Sequence, residues 1–320
     1  MSPRIVVSRS IPASAVALLE EAGEVWMSAE DRPLTVPELH AAVSGADAIV
    51  TLLHDRVDEA LLDAAGPSLQ VVANVAVGYD NADIEACRRR GVVFTNTPGV
   101  LTDATADIAF ALILMTTRRL GEGDRLVRTG RRWSWSMEFH LGTGIQGKTL
   151  GIVGLGQIGT AVARRARTFG MDLVYTGRRR ADTALENELG ARFVDLDELL
   201  RISDVVSLHC PLTPETRHLI DERRLRLMRP TAFLVNTTRG PVVDEDALVR
   251  ALRNGVVAGA GLDVFEHEPD VHPGLLELDN AVLLPHLGSS TVETRTAMAE
   301  LAARNVACVL RGEAPPTPVT

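Results

Sequence analysis

The sequence predicts an α/β protein of two doubly wound parallel-sheet domains, the second inserted in the first. Three observations carry this expectation. Short apolar runs alternate with amphipathic stretches of helical period from the start of the chain. The alternation breaks at a long apolar helix and an aromatic-bearing stretch, then resumes at Thr149. The chain closes on one more amphipathic helix, of the kind that packs back on a first domain.

Taken in order, residues 5–8 read as strand, 13–22 as helix, 48–53 as a buried strand and 57–65 as helix. Strand follows at 69–75, helix at 82–90 and strand at 92–95. Repetition of this kind implies a parallel sheet covered by helices on both faces. A helix is expected over 102–120, with Thr102 or Asp103 as its N-cap. Its interior, ADIAFALILM, is apolar on nearly every side, which predicts burial between the two domains. RRWSWSMEFHLGTGIQ has no clean period and reads as an irregular excursion. The second series places strands at 150–153, 172–175, 205–209, 232–236, 258–262 and 281–284. The last helix, 291–310, runs into a Pro-rich tail. The expected division is therefore residues 1–101 with 288–320, and 102–287 between them, with hinges near 98–100 and 285–288.

Composition sets the limits. A chain of 320 residues, 46% apolar and 23% charged, has the balance of a soluble globular protein with room for two cores. A net charge of -9 argues against general attraction to nucleic acid or an anionic membrane, though one buried Arg can still receive a small anion. Cys87, Cys210 and Cys308 are too few and too scattered for a disulfide framework or a metal knuckle. The opening MSPRIVVSRS lacks a signal peptide's apolar region, and the run 108–115 falls far short of the roughly 20 residues that cross a bilayer. A cytoplasmic protein is the expectation. Lys148 is the sole Lys, so basic charge rests on Arg.

KTLGIVGLGQIG is a strand running into G-x-G-x-x-G, and the helical TAVARRARTFG follows. That context turns a common Gly-rich turn into a dinucleotide fingerprint of the Rossmann kind. Gly154 permits the tight turn, Gly156 lets backbone approach a pyrophosphate, and Gly159 lets the helix pack closely. Leu155, Gln157 and Ile158 complete the loop, whose N–H groups and dipole end suit phosphate. The next strand ends in Thr176-Gly177-Arg178-Arg179-Arg180, where an NAD enzyme normally carries an acidic residue for the ribose 2′-OH. A 2′-phosphate of charge about -2 would be repelled by an acid and paired by guanidinium. NADP preference follows, with Arg178 and Arg179 as the contacts; the bland alternative is a solvated basic corner.

Reducing a 2-oxo acid needs a group for the carboxylate and a proton donor for the ketone oxygen. Arg suits the first through bidentate hydrogen bonds, and His beside a carboxylate suits the second. VNTTRGPVVDEDAL places Arg239 just after a strand, AGLDVFEHEP places Asp263 at a strand end and Glu268 beyond it, and NAVLLPHLGSS places His286 after the next strand. Ligands of open α/β sheets gather at the carboxyl ends of strands, so these groups are expected to converge. FEHEPDVH mixes acids and histidines, but its Pro residues and spacing argue against a metal site.

At these residues the chain resembles the D-isomer-specific 2-hydroxyacid dehydrogenases over nearly its whole length, and most of all the glyoxylate/hydroxypyruvate reductases among them. The matching stretches are NVAVGYDNAD, TPGVLTDATAD, GIVGLGQIG, HCPLTPETRHLI, VNTTRGPVVDEDAL, GLDVFEHEP and PHLGSST. The resemblance implies a flavodoxin-like substrate domain and an NADP-binding Rossmann domain. It implies that Arg239 binds the substrate carboxylate and carbonyl, that His286 is the acid–base group, and that Glu268 pairs with His286 and raises its pKa. Leu53, Val77 and Gly78 would meet the substrate from the first domain. Thr105, Cys210, Pro211, Thr216, Thr237, Asp263 and Gly288 would line the cofactor, with Arg239 and His286 beside it. It also implies a homodimer. RRWSWS resembles the segment these reductases use across the dimer, which would put Trp135 at the partner's active site; for Trp133 and Trp135 simple packing stays equally open. His209 is expected to be structural, and His40, His54, His218 and His272 to be surface or satisfied core residues. A broader 2-ketoacid reductase, or a non-catalytic NAD(P)-sensing protein of the corepressor type, is the alternative.

Overall fold

The computed structural model describes residues 2–320, which divide into two compact units. One runs up to Leu101 and resumes over Ser290–Thr320; the other is Thr102–Ser289. Each is built on a parallel sheet covered by helices.

In the first unit the strands are β1 (Arg4–Val7), β2 (Glu24–Met27), β3 (Ala48–Thr51), β4 (Val71–Asn74) and β5 (Val93–Thr95). They lie in the order β2-β1-β3-β4-β5, every pair parallel. Successive side chains of a strand point to opposite faces. Val6, Ile49, Val72 and Phe94 therefore pack under the helices Val36–Val43, Glu59–Ala65 and Ile84–Arg89. Ile5, Val7, Val50 and Ala73 pack on the other face under Ala13–Glu20 and the last helix, Val292–Leu310. Burial on both faces is why these strands are continuous runs of Val, Ile and Ala rather than alternating ones. The tail beyond the last helix is tied down as well. Asn305, fully buried, donates from Nδ2 to Thr317 Oγ1 at 2.8 Å, and Thr317 Oγ1 donates to the Asn96 carbonyl at 2.6 Å.

The second unit holds β6 (Thr149–Val153), β7 (Asp172–Thr176), β8 (Ala191–Phe193), β9 (Val205–Leu208), β10 (Phe233–Asn236), β11 (Gly259–Leu262) and β12 (Ala281–Leu283). Their order is β12-β11-β10-β9-β6-β7-β8, again all parallel. Chain order reverses between β7 and β9 across β6, which is the crevice where doubly wound sheets take ligands.

Several elements depart from expectation. β2 and β8 are absent from the sequence reading because each is a short edge strand carrying polar residues, EVWM and ARF. The helix Val36–Val43 is absent too, although Thr35 and Glu38 form a reciprocal capping box that T-V-P-E spells out. The long helix spans Thr102–Thr117 and not 102–120, with Thr102 as its first helical residue. Arg119 takes a left-handed φ of 53°, and a separate helix, Leu120–Arg128, starts there with no buried residue. Among the described residues, no helix is long and apolar enough to cross a membrane.

Candidate active site

Three adjacent strands of the second unit, β10, β11 and β12, end in the loops that carry Arg239, Glu268 and His286. Convergence follows from the parallel sheet, since all carboxyl ends lie on one side. His286 Nδ1 lies 2.8 Å from Glu268 Oε2, and Glu268 Oε1 accepts the Phe265 N–H at 3.0 Å. The carboxylate is thus held at both oxygens. With Nδ1 engaged, the ring is fixed in orientation and Nε2 is the nitrogen left to exchange a proton.

The His286 backbone is in the left-handed region, φ 55°, a conformation that disfavours any residue with a Cβ. Asp263 holds it there. The His286 N–H donates to the Asp263 carbonyl at 2.9 Å, and the Asp263 carboxylate accepts Leu287 N–H at 2.6 Å and Gly288 N–H at 2.8 Å. Asp263 is 1% exposed, and burial pushes its carboxyl up, against the pull of these N–H groups and of His286. Thr105 closes the same loop from the helix Thr102–Thr117, donating to the Gly288 carbonyl at 3.1 Å.

Arg239 is positioned by Asn236, a residue the sequence reading passed over. Asn236 Oδ1 accepts Thr238 N–H at 3.0 Å and Thr238 Oγ1–H at 2.7 Å, while Nδ2 donates to the Arg239 carbonyl at 2.9 Å. An Asn at a strand end, two residues before a turn, is the available signal. Gly240 then passes the neighbouring loop backbone to backbone: a Cβ there would lie 1.8 Å from the Phe265 carbonyl carbon. Among the described residues, Thr237 Oγ1 is buried without a hydrogen-bond partner.

The Gly-rich loop joins β6 to the helix Gln157–Thr168. Gly154 has φ 99°, and a Cβ would fall 2.8 Å from the His209 carbonyl group. A Cβ on Gly159 would meet the Gly154 carbonyl oxygen at 2.2 Å. Gly156 differs, because a Cβ there would meet nothing within 4 Å. No side chain caps this helix, whose N-cap is Gly156 itself. A helix N-terminus with no side-chain cap, beside a glycine with open space on its Cβ side, suits an anionic pyrophosphate, so the residues fit a dinucleotide. Leu155 and Ile158 flank the turn half-buried, and exposed Gln157 accepts from Thr102 Oγ1 at 3.4 Å.

The three Arg after β7 separate. Arg180 is committed to Glu186, Nε to Oε1 at 2.9 Å and Nη2 to Oε2 at 2.8 Å, and Tyr175 Oη–H donates to the same carboxylate at 2.6 Å. Arg178 and Arg179 are exposed, and among the described residues neither forms a hydrogen bond or ion pair. Arg178 contributes to holding the Glu215 carboxyl below its ordinary range, after Thr213 and the local backbone.

After β9, His209 Nε2 hydrogen-bonds with Ser207 Oγ at 2.8 Å, and its Nδ1 is buried without a partner among the described residues. Burial pushes its pKa down to about 4. Cys210 is held neutral by burial, its thiol pushed up to about 11. Thr216 Oγ1 donates to the Pro211 carbonyl at 2.6 Å and accepts Thr213 N–H at 2.7 Å, closing the loop on itself.

Leu53, Val77 and Gly78 belong to the first unit, just beyond the carboxyl ends of β3 and β4. Asn96 Nδ2 donates to the Val77 carbonyl at 2.8 Å and Asn74 Nδ2 to the Gly78 carbonyl at 3.3 Å. Leu53 is half-buried in the loop where Asp55 Oδ2 accepts Leu52 N–H at 2.7 Å. Trp133 stacks on Phe139, centroids 5.7 Å apart, whereas Trp135 is 72% exposed. His218 pairs with Glu266, and His272 lies 2.9 Å from Asp246.

The family model for the D-isomer specific 2-hydroxyacid dehydrogenase NAD-binding domain matches residues 110–288. The chain is 51% identical to a glyoxylate reductase of Thermococcus onnurineus over 321 residues, 99% of this chain and 96% of the relative. It is 36% identical to a crystal structure of a glyoxylate reductase from Paecilomyes thermophila, TM-score 0.89, covering 99% and 98% of the two chains. An NADPH-dependent glyoxylate/hydroxypyruvate reductase from Sinorhizobium meliloti, solved in complex with NADP and malonate, is similar at 35% identity and TM-score 0.87, covering 100% and 97%.

Proposed function

The chain belongs to the D-isomer specific 2-hydroxyacid dehydrogenase family, and we propose that it reduces glyoxylate or hydroxypyruvate with NADPH in preference to NADH. The observation that carries the chemistry is the His286 Nδ1–Glu268 contact at 2.8 Å, between the loops after β12 and β11, with the Arg239 loop after β10 next in the sheet. Nearly full-length relatives named glyoxylate reductase support the substrate.

In this reading the second unit is the NADP-binding domain and the first, with Leu53, Val77 and Gly78, is the substrate domain. When bound in the second unit, NADPH would be the source of the hydride for the carbonyl carbon. The guanidinium of Arg239 grips the substrate carboxylate by a two-pronged hydrogen bond and polarises the carbonyl. His286 would give its Nε2 proton to the carbonyl oxygen, so carbonyl, hydride and proton together make the alcohol. Glu268 keeps the ring turned for this and balances the positive charge it carries before donating. The Gly154–Gly159 loop would hold the pyrophosphate, Arg178 and Arg179 the 2′-phosphate, and Thr105, Cys210, Pro211, Thr216, Thr237, Asp263 and Gly288 the rest of the cofactor. The enzyme would act as a homodimer in the cytoplasm, where a reduced NADP pool favours reduction.

The test follows NADPH absorbance with glyoxylate and hydroxypyruvate. Wild type should oxidise NADPH with at least one of them, and His286→Ala should lower kcat by about 10²–10⁴-fold. Absence of turnover with any small 2-oxo acid would favour a nucleotide-sensing protein, and near-normal turnover of His286→Ala would remove His286 from the chemistry.

A further inference from the structure

Glu245 is a buried acid that the reaction does not use. It opens the helix Glu245–Arg253 and is 4% exposed. Capping does not explain it, because Asp244 already accepts the Ala247 N–H at 2.8 Å. Among the described residues it forms no ion pair. Burying a carboxylate is costly unless its oxygens are used. One oxygen accepts the backbone N–H of Glu266 at 2.8 Å. Burial and the Glu266 charge push the Glu245 carboxyl up, while that N–H and the charges of His272 and His267 pull it down.

The Phe265–Glu266 peptide that Glu245 grips is one step from the chemistry. Phe265 N–H donates to Glu268 Oε1 at 3.0 Å, and Glu268 Oε2 meets His286 Nδ1 at 2.8 Å. The same peptide touches the Arg239 loop, since a Cβ on Gly240 would lie 2.3 Å from Glu266 N. His218 ties the Glu266 side chain to the Arg239 loop: its ring bonds the Glu266 carboxylate, and its backbone N–H donates to the Pro241 carbonyl at 2.7 Å. A peptide fixed against two loops and one buried carboxylate has a single place to sit.

We propose that Glu245 is a positioning residue, whose buried carboxylate fixes the Phe265–Glu266 peptide so that Glu268 holds His286 by Nδ1. The need is for an acceptor oxygen at that point and not for charge. Glu245→Gln keeps the oxygen, Glu245→Ala removes it, and Glu245→Asp draws it back by one methylene while keeping the charge and the start of the helix.

The inference rests on the dyad proposed above, so the deciding measurement is made without substrate. The ring signal of His286, assigned by its loss in His286→Gln, is titrated by histidine-selective NMR in the full chain. Glu245→Ala and Glu245→Asp should move its midpoint by about half a pH unit or more, toward that of Glu268→Gln. Glu245→Gln should titrate like wild type. With glyoxylate and NADPH, Glu245→Ala should lose about 10- to 100-fold in kcat, while the KM for NADPH stays within about twofold. Should Glu245→Ala not fold, Glu245→Asp decides. A wild-type midpoint in the folded Ala or Asp variant, or a Gln variant displaced as far as Ala, overturns the proposal. A wild type that fails to reduce any 2-oxo acid overturns the functional reading alone, because the titration still reports on Glu245.

Discussion

At the scale of single residues, environment and not residue type assigns each role. Three consecutive Arg follow β7, yet Glu186 takes Arg180 and leaves Arg178 and Arg179 in solvent. Charge-assisted hydrogen bonds are worth about 1.5–3 kcal/mol, so removing both free guanidiniums should cut the NADPH-over-NADH ratio of kcat/KM by about 10- to 100-fold. A ratio that is unchanged in Arg178→Ala/Arg179→Ala would locate the selectivity elsewhere. His209 makes a separate case through pH. Its pKa falls from the ordinary 6.5 to about 4 in the fold because burial disfavours the charged ring. The unfolded chain therefore takes up this proton first, and stability drops as pH falls from about 6.5 to 4, with no contribution above that window. The loss should not exceed about 3 kcal/mol. Urea unfolding of cofactor-free protein at pH 7, 5.5 and 4.5 checks it, since His209→Gln should flatten this part of the profile. Parallel profiles for the two proteins would rule the contribution out.

At the scale of elements, two glycines in turns after β6 and β10 do opposite jobs. Gly240 is needed by the fold, because a Cβ would sit 1.8 Å from the Phe265 carbonyl carbon. A Cβ on Gly156 would meet nothing within 4 Å among the described residues, at an ordinary φ of -83°. Gly240→Ala should destabilise the protein by about 1–3 kcal/mol or more, as overpacking does, with turnover lost in step. Gly156→Ala should cost cofactor-free stability no more than about 1 kcal/mol, the loss of a favourable N-cap residue. Its dissociation constant for NADPH should nevertheless rise about tenfold or more, one charge-assisted contact's worth. Thermal melting with and without NADPH separates these outcomes; a Gly156→Ala protein that binds NADPH normally would refute the phosphate role of the loop.

At the scale of the whole molecule, apolar surface is concentrated in the second unit's excursion. Trp133 is 55% exposed, Trp135 72%, Met137 78% and Leu141 61%. Exposed apolar side chains clustered in this way mark contact surfaces. The proposed homodimer predicts a solution mass of about twice 34.4 kDa by light scattering. Trp135→Ser should shift the balance toward monomer or lower kcat in the dimer. A wild type that is monomeric at micromolar concentration would remove the partner's role.

Features that depend on local pattern were legible from residue order alone. Buried parallel strands announce themselves as Val and Ile runs such as AIVT and VVAN, the Gly-rich turn carries its own strand and helix, and strand-end placement marks Arg239, Glu268 and His286. Short edge strands escaped because they are polar on one side, and the break at Arg119 escaped because a left-handed residue leaves no periodic trace. Which groups meet is set by packing. Asn236 under Arg239, Asp263 under the strained His286, Glu186 on Arg180 and Glu245 on the Glu266 peptide are contacts between segments or across turns. A hydrogen bond needs its partners within about 3.2 Å. Composition and period fix which face of an element is buried, but only packing brings one named oxygen to one named N–H.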